Sequence, residues 1–384
     1  MNSRFGIAPE DQEVADAVGR YAQSELAPRA QEVDEGAVST VRYVPQLAEL
    51  GAMGMNLPAQ WGGWGCSPTA LILSLVEIAK ACTSTASMIG AHFLATDSVL
   101  IAGDDELRGR YLPRAAAGEL LGAFALTEPR AGSNPADMSA RAQRVGDEYH
   151  LSGTKHFISN AGEADFIVVY AKTDPQAGHR GISAFVVDKH TPGLQIAAPE
   201  RLMGIRGGHA FEVSLDCRIA AQQRLGEEGS GFKTAMKVLD NSRMDVAANC
   251  LGLSEAALQA AVQWAAQRQV GGEPLAHKQG IQWMLADMKM RLEAAWLLTL
   301  QACAKRQAGQ RYSMESSMCK LYASEAAAFI TDTALQIHGG YGYTRDLPLE
   351  RYVRDARIMR IYEGSSEIQR TVIARLMLSE LAPR

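Results

Sequence analysis

Glu363 is one residue of this sequence whose side chain could do acid–base chemistry. It lies in the polar segment RIYEGSSEIQR, at 360–370, directly before Gly364. A glutamate in such a segment is usually solvated, and its carboxylate is then a weak base. In an apolar cavity its pKa rises toward neutrality, and the carboxylate can then remove a proton from a substrate. The residues alone leave both interpretations open.

Two earlier segments carry hydroxyl and aromatic side chains in patterns that suit a flat ligand with a polar edge. The segment ALTEPRAGSN, at 125–134, offers Thr127, Ser133 and free backbone N–H groups. The segment KHFISNAGEAD, at 155–165, places Phe157 and Ser159 two residues apart. On a regular strand both side chains project to one side, so the ring can stack on a ligand while the hydroxyl bonds its edge. A structural turn and a core phenylalanine beside a surface serine are the alternatives.

Two glycine-rich segments, GEEGSGF at 226–232 and HGGYGY at 338–343, invite comparison with phosphate-binding loops. Neither has the glycine spacing of a dinucleotide-binding or P-loop motif. Both therefore predict turns, although HGGYGY also permits close approach of the backbone to a ligand because glycine has no Cβ.

The bulk composition excludes several classes of protein. The 384 residues carry a formal net charge of −5, whereas nucleic-acid-binding proteins usually present a basic surface. The N-terminal residues lack a secretory signal pattern, and no apolar run reaches 18 residues, so we expect no membrane span. The six cysteines are widely spaced without a C-x-x-C pair. We therefore expect no metal site or disulfide framework, and free thiols in a reducing cytoplasm.

The elements that must position these segments change in type twice along the chain. Helical apolar spacing, as in Leu71, Leu75 and Ile78, dominates the first part. Short β-rich runs follow between about 122 and 230, at 166–170, 182–187 and 211–215. Helical spacing then returns and predicts long helices around 243–268 and 313–338. We predict an α+β protein with a helical domain at 1–121, a mainly antiparallel β domain at 122–232 and a helical domain at 233–384. Because strands and helices do not alternate, no dinucleotide-binding βαβ unit is expected.

Taken together and in order, the motifs are specific. The runs ALTEPRAGSN, KHFISNAG, MGIRG, GEEGSGF, LADM and QIHGGYGYTRDLPLERYVRDARIMRIYEGSSEIQR resemble the acyl-CoA dehydrogenase family, and the resemblance extends from about residue 10 to about residue 378. It implies an N-terminal helical domain, a central antiparallel β-barrel-like domain and a C-terminal four-helix bundle. It also implies FAD as the cofactor, an electron-transfer flavoprotein as the electron acceptor, and a homotetramer built as a dimer of dimers.

The resemblance assigns roles to individual residues. Glu363 matches the catalytic base of the short-, medium- and branched-chain type of the family. The acyl-CoA would contact Ser133, Asp240, Arg243 and Gly364. The positions that match FAD contacts, some of them completed by a neighbouring subunit, are Phe124, Leu126, Thr127, Ser133, Phe157, Ile158, Ser159, Arg268, Gln279, Gln336, Gly339, Gly340, Ser365 and Glu367.

Three positions depart from the family pattern or decide between its branches. Gly271 stands where the family usually has phenylalanine, which puts one FAD adenosine contact in doubt. Glu367 places a carboxylate where a neutral polar group is common, near the expected pyrophosphate. A second branch of the family carries its base at the position of Ser242, so that with serine there Glu363 is the one sensible base.

The implied reaction is the α,β-dehydrogenation of an acyl-CoA to a trans-2-enoyl-CoA in fatty acid or amino acid catabolism. Glu363 would remove the α-proton, and the β-hydrogen would leave as hydride to flavin N5. The alternatives are an acyl-CoA oxidase-like enzyme, a dehydrogenase of carrier-protein-bound acyl groups, a reductase that runs the reaction backwards, and a non-catalytic scaffold. The sequence leaves the acyl chain of the substrate open.

Overall fold

The computed structural model describes residues 4–381, with helices at both ends of the chain and strands between them. This order is the α+β arrangement predicted from the sequence. The helices are α1 (Pro9–Tyr21), α2 (Ala30–Asp34), α3 (Val44–Glu49), α4 (Pro68–Ala81), α5 (Thr83–Ala102), α6 (Asp105–Ala116), α7 (Gly231–Gln267), α8 (Gln279–Gln307), α9 (Ser313–His338), α10 (Gly340–Tyr343), α11 (Leu349–Ile358) and α12 (Ser366–Leu381).

Two of the N-terminal helices, α4 and α6, begin at a residue whose side chain caps the helix. The Ser67 hydroxyl accepts a hydrogen bond from the Ala70 N–H at 3.0 Å, and Pro68 occupies the first position of α4. The Asp104 carboxylate caps α6 in the same way, through the Leu107 N–H at 2.9 Å. Helix α5 is long and apolar enough to cross a membrane, but 72% of its most apolar 18-residue stretch is buried inside the protein. It therefore packs as a core helix of a folded protein.

The strands of the central region are β1 (Gly122–Ala125), β2 (Arg141–Val145), β3 (Glu148–Ser159), β4 (Phe166–Lys172), β5 (Ile182–Asp188), β6 (Leu194–Ile196), β7 (Ala210–Ala220) and β8 (Arg224–Leu225). Their order across the sheet is β6-β7-β3-β2-β4-β5-β8, with β1 added beside β4. Most neighbours are antiparallel, but β1 runs parallel to β4, and β2 meets β4 in a single parallel pair. The antiparallel prediction is thus correct for most of the sheet and wrong for these two contacts.

Both faces of strand β4, in the middle of the sheet, are buried. Phe166, Val168 and Tyr170 pack in one apolar cluster with residues of α5 and α6, whereas Ile167 and Val169 pack in another with β3, β5 and β7. The alternation follows from the two-residue period of a strand. The sheet is therefore fixed between a helical layer and its own second core.

Helix α7 joins the other layers. Its 37 residues span about 55 Å at 1.5 Å per residue. It packs on α4 and α5 of the N-terminal region and on α8 and α9 of the C-terminal region, which share one apolar cluster. Close approach to α4 depends on Gly252, because a Cβ there would lie 2.3 Å from the Val76 carbonyl oxygen.

The helices predicted for the C-terminal region agree with the structure to different degrees. The helix expected at 313–338 is α9, whereas the helix expected at 243–268 begins earlier, at Gly231. A short hairpin of β9 (Gln269–Val270) and β10 (Glu273–Pro274) interrupts the C-terminal helices and was not predicted. Its turn residues Gly271 and Gly272 both have positive φ angles, of 66° and 82°. The domain boundaries given above stay a prediction.

We predict that Gly252→Ala destabilises the protein because its methyl group would collide with the backbone of α4. Overpacking of a helix crossing typically costs about 1–3 kcal/mol. Gly109→Ala in α6 is the matched control, since a Cβ there meets only a Trp61 ring carbon at 3.9 Å. Thermal unfolding followed by circular dichroism should show a lower midpoint for Gly252→Ala and an equal or higher one for Gly109→Ala. Equal midpoints for the two variants would contradict the packing at this crossing.

Candidate active site

Glu363 lies in a tight turn between α11 and α12. The Ile361 and Tyr362 N–H groups both donate to the Ile358 carbonyl, and the Ser366 N–H donates to the Arg360 carbonyl at 3.0 Å. Glu363 has a φ of 55° and Gly364 a φ of 91°. A left-handed conformation at a residue other than glycine costs of order 1–3 kcal/mol and persists only where the surroundings impose it.

Three side chains hold the carbonyl groups of this turn. The Gln369 amide donates at 3.0 Å to the carbonyls of both Glu363 and Gly364. The Lys320 ammonium donates to the Gly364 carbonyl at 2.7 Å, and the Arg243 Nε reaches the Glu363 carbonyl at 3.5 Å. Both backbone oxygens are therefore bound to donors on α7, α9 and α12.

The Glu363 side chain is half-buried, and the loss of water around its carboxyl group makes it more basic. Its Oε2 is enclosed and has no hydrogen-bond partner among the described residues. Burial raises the pKa of Glu363 above its ordinary value of 4.5, while a hydrogen bond from Ser242 and the charges of Lys320 and Arg243 oppose that rise. Desolvation prevails, as expected for a carboxylate removed from water.

Asp240 and Arg243, the two residues expected to meet the acyl-CoA, contact each other one turn apart on α7. The Arg243 Nη1 lies 2.7 Å from Asp240 Oδ1, and the Ser313 hydroxyl donates to the other Asp240 oxygen at 2.5 Å. Arg243 is buried. Its guanidinium thus connects the Asp240 carboxylate with the backbone of the Glu363 turn.

The segment 125–134 is fastened to strand β3 by a buried ion pair. The Lys155 ammonium lies 2.9 Å from Glu128 Oε1 and donates to the Leu126 carbonyl at 3.0 Å. Glu128 also accepts from the Ser139 N–H and hydroxyl and from the Ala140 N–H. Burial alone would raise the pKa of Glu128, but Lys155 and Ser139 hold it below its ordinary value. The loop that carries Thr127 and Ser133 is therefore fixed at its base.

The structure corrects the expectation of a regular strand at Phe157 and Ser159. Phe157 has a φ of 57°, and the pairing of β3 with β7 shifts register between Lys155 and Ile158. The two-residue alternation therefore does not apply across Phe157. The Phe157 ring stacks on His156 at 4.1 Å and is 58% exposed. An exposed aromatic face held by a bulge remains available to a flat ligand.

The other expected cofactor positions on these strands differ in accessibility. Thr127 and Ser159 are half-buried and Ser133 is exposed. The Phe124 ring packs on Tyr170 at 5.0 Å. Leu126 and Ile158 have buried side chains within the apolar clusters. These two side chains support the site from behind.

A second group of expected positions lines a separate cleft of about 460 Å³. Arg268, Gly339 and Gly340 border it, together with Trp264 and Tyr341. The Arg268 guanidinium lies 5.7 Å from the centre of the Tyr341 ring, and a Cβ on either glycine would meet nothing within 4 Å. Within residues 4–381, no hydrogen bond, ion pair or ring contact joins this cleft to strand β3 or to the Glu363 turn. The two groups of expected positions therefore share no direct contact of these kinds in the described part of the chain.

The remaining expected positions lie at helix ends. Gln336 and Gln279 are exposed on the last turn of α9 and at the start of α8. Ser365 precedes α12, and Glu367 lies exposed in its first turn. The pKa of Glu367 is lowered by its own backbone N–H and by Ser365. The unusual carboxylate is thus stabilised by the helix N-terminus.

Lys320 and Gln369 were not identified from the sequence, although both contact the turn that carries Glu363. The sequence held only a weak signal for them. Lys320 is the one basic residue in the Ser- and Ala-rich run ESSMCKLYASEAAA, where a solvated lysine is the usual case. Its carbonyl partner lies 44 residues further along the chain.

Three family models match consecutive parts of the chain. They describe the acyl-CoA dehydrogenase N-terminal domain at residues 8–119, the middle domain at 123–217 and the C-terminal domain at 229–378. A curated relative, acryloyl-CoA reductase (NADH) of Anaerotignum propionicum, is 42% identical over 97% of this chain and 95% of its own.

Two solved structures are similar over nearly the whole fold. Butyryl-CoA dehydrogenase from Megasphaera elsdenii has a TM-score of 0.95 at 36% identity, covering 98% of this chain and 100% of that one. A chain from a study of the electron transferring flavoprotein of Acidaminococcus fermentans has a TM-score of 0.95 at 37% identity, covering 98% and 99%. The resemblance and the fold class inferred from the sequence are confirmed.

We predict that Lys155→Met strongly destabilises the protein because it leaves the Glu128 carboxylate buried without its cation. Breaking a buried pair from one side costs about 3–5 kcal/mol. The double variant Glu128→Gln/Lys155→Met should recover part of this loss, since no uncompensated charge remains. Arg218→Met is the control, because its pair with Glu148 is exposed and worth about 0–1 kcal/mol.

Urea unfolding at neutral pH measures these differences. The pKa of Glu128 lies below its ordinary 4.5. Glu128 is therefore ionised at neutral pH, and the stability that its ionisation contributes is lost as the solution is acidified through that lowered pKa. A Lys155→Met variant as stable as Arg218→Met would contradict a structural role for the buried pair.

Proposed function

We propose, since the chain belongs to the acyl-CoA dehydrogenase family, that Glu363 is the base that removes the α-proton of an acyl-CoA thioester. Family models across the whole fold and relatives of this similarity make the chain an oxidoreductase of acyl-CoA substrates. One observation carries the assignment of the base. It is the buried Glu363 carboxyl with an unpartnered oxygen, in a turn whose carbonyl groups are bound elsewhere.

The reaction needs more than a basic carboxylate, because a thioester α-proton is only weakly acidic. Negative charge develops on the thioester oxygen as the proton leaves, and a donor aimed at that oxygen is worth about 3–4 kcal/mol. The Glu363 N–H makes no hydrogen bond to any residue between 4 and 381. We assign it to the thioester oxygen, so that one residue both takes the proton and stabilises the resulting charge.

The residues present fit FAD. An exposed Phe157 face beside Thr127 and Ser159 suits the flavin ring, and the open glycines beside Arg268 suit a phosphate-bearing arm approached closely by backbone. When bound, FAD supplies the acceptor for the hydride that leaves the β-carbon. The protein's own residues orient the substrate, exclude water from Glu363 and hold the proton on its carboxyl group.

We place the acyl chain between α5 and α7. Ser87 and Gly90 are half-buried within an otherwise buried stretch of α5, and a Cβ on Gly90 would contact nothing within 4 Å. Asp97, further along α5, does not enter this space as a free carboxylate, since both of its oxygens accept hydrogen bonds from Asn56 and Asn241. With a butyryl-CoA dehydrogenase as a near-identical fold, we propose short acyl chains as substrates.

The in vivo direction of the reaction has two candidates, because the same residues serve both. Dehydrogenation is our proposal, supported by the family and by the basic form of Glu363. Reduction of a 2-enoyl-CoA is the second candidate, favoured by the 42% identical relative that is named an acryloyl-CoA reductase. An electron-transfer flavoprotein is the proposed electron partner, supported by the similarity to a chain studied with such a protein. Six free cysteines favour the cytoplasm.

We also propose that the protein assembles with copies of itself, as a dimer or a dimer of dimers. Helix α8 exposes Trp283, Met290 and Leu297 at seven-residue spacing, so that all three lie on one face. An exposed apolar stripe of this kind marks an association surface. A second copy would also explain how the cleft at Arg268 and the Phe157 region form one cofactor site.

We predict that Glu363→Gln lowers flavin reduction by acyl-CoA by about 10²–10⁴-fold or more, because the amide cannot accept the α-proton. Acyl-CoA affinity and bound FAD should be unchanged, since the amide keeps the shape of the side chain. Anaerobic bleaching of the flavin by a panel of acyl-CoAs measures the rate, and Glu106→Gln, on the exposed surface of α6, is the control. Near-normal bleaching in Glu363→Gln would exclude Glu363 as the base.

We predict that Leu297→Glu converts the assembly to smaller species, because a charge would be buried in the proposed interface. Light scattering after size-exclusion chromatography gives the mass of each species. Val145→Glu, at an exposed apolar residue on β2, is the control and should leave the mass unchanged. A wild-type protein that elutes as a monomer would overturn the proposed assembly.

A further inference from the structure

Lys320 is a buried cation without an ion-pair partner. It lies in the middle of α9 with its side chain fully buried. Among residues 4–381, no carboxylate lies within ion-pair distance of its ammonium group, and its one hydrogen bond goes to the Gly364 carbonyl at 2.7 Å. Burying an ammonium group without a carboxylate in contact is costly. Burial accordingly lowers the pKa of Lys320 to about 8, which still leaves it protonated at neutral pH.

The bond from Lys320 acts on a strained part of the backbone. Glu363 and Gly364 are consecutive left-handed residues, and a Cβ on Gly364 would lie 2.6 Å from the Gln369 amide nitrogen. Gln369 alone already supplies a donor to each of the two carbonyls. A neutral donor therefore suffices to satisfy the backbone, and a purely structural role does not explain the charge on Lys320.

The positive charge of Lys320 also acts on the Glu363 carboxylate. Lys320 and Arg243 both lower the pKa of Glu363 against its desolvation. Of the other titratable groups near these residues, Asp245, Cys250 and Tyr362 have pKa values raised by burial and stay neutral at pH 7. The pKa of Glu325 lies below its ordinary value. At neutral pH the charged groups near the base thus include Lys320, Glu325 and Arg243 with its partner Asp240, and the more distant Arg375 also acts on Arg243.

Arg243 is largely engaged elsewhere, because its guanidinium pairs with Asp240 at 2.7 Å. Glu325 accepts from the Ser366 hydroxyl and from Arg360, so its charge is likewise engaged. Within residues 4–381, Lys320 is therefore the buried cation near the base that no carboxylate contacts.

We propose that Lys320 is a positioning residue for proton abstraction, which holds the Glu363–Gly364 turn through the Gly364 carbonyl and keeps the buried carboxylate of Glu363 in its ionised form. Gln369 shares the positioning role but not the electrostatic one. The proposal rests on Glu363 as the base. It predicts different consequences for removing the charge and for removing a neutral donor.

The test isolates proton abstraction from oxidation. Holoenzyme whose flavin has been reduced beforehand with dithionite is incubated with butyryl-CoA in D₂O, and deuterium at the α-carbon is measured by mass spectrometry. A reduced flavin accepts no hydride, so that exchange reports the base alone. Exchange requires ionised Glu363 and should rise with pH through the pKa of that residue. The variants are Lys320→Met and Gln369→Leu, and Lys305→Met is the control.

We expect Lys320→Met to slow exchange at neutral pH by roughly 10- to 100-fold, the range that misplacement of a reacting group produces. Its pH profile should move to higher pH, because Glu363 loses a cation that favours ionisation. Gln369→Leu should slow exchange without moving the profile. Lys305→Met breaks the contact with Glu315 at the start of α9 and should lower only the unfolding midpoint. Affinity for butyryl-CoA should be unchanged in all three.

Exchange in Lys320→Met at the wild-type rate and with the wild-type pH profile would overturn the proposal. An unchanged pH profile of exchange together with weaker butyryl-CoA binding would also overturn the proposal, since Lys320 would then contribute only to packing. If Lys320→Met does not fold, Lys320→Gln, which keeps a donor without the charge, decides by the same shift in pH profile. Exchange by Glu363→Gln at the wild-type rate would instead exclude Glu363 as the base. This outcome distinguishes an error in the proposed base from an error in the role proposed for Lys320.

Discussion

A carboxyl group buried beside its own backbone carbonyls is the constraint on which the rest of this site depends. A carboxylate in the position of Glu363 is repelled by any carbonyl oxygen that faces it, and burial strengthens that repulsion. The left-handed turn at Glu363 and Gly364 places both carbonyls against donors from α7, α9 and α12. The Glu363 carboxyl is then left with an unpartnered oxygen, which is the form a base requires.

The β domain also buries charged side chains, but there they stabilise a loop. There the buried charges of Glu128 and Lys155 contact each other directly, and the remaining lone pairs of Glu128 accept from Ser139 and Ala140. That pair is fully satisfied, so it fixes a loop and leaves no reactive group. At Glu363 the cations act through the backbone and at a distance, and the carboxylate stays available. The direct Glu128–Lys155 ion pair thus stabilises the scaffold, whereas the incompletely paired Glu363 carboxyl is left available for reaction.

The sequence predicted what local patterns determine. Short β-rich runs located strands β4, β5 and β7, and helical spacing located α9 at about its observed bounds. It did not predict the bulge at Phe157, because a non-glycine residue with positive φ leaves no local signal. It missed Lys320 and Gln369 because their importance arises from carbonyl partners that only the folded chain brings near. The β9–β10 hairpin was missed although Gly271-Gly272 is a recognisable turn signal.

The ionisation of Glu363 is the quantity that tests the central claim most directly. Infrared difference spectra between the protein and Glu363→Gln, recorded across pH, report the protonated carboxyl of this residue alone. We expect Glu363 to titrate above its ordinary pKa of 4.5, since burial outweighs Ser242, Lys320 and Arg243. We also expect the rate of α-proton removal to rise with pH through the same ionisation. Titration at or below 4.5, or a rate that does not follow it, would contradict a desolvated catalytic base at this position.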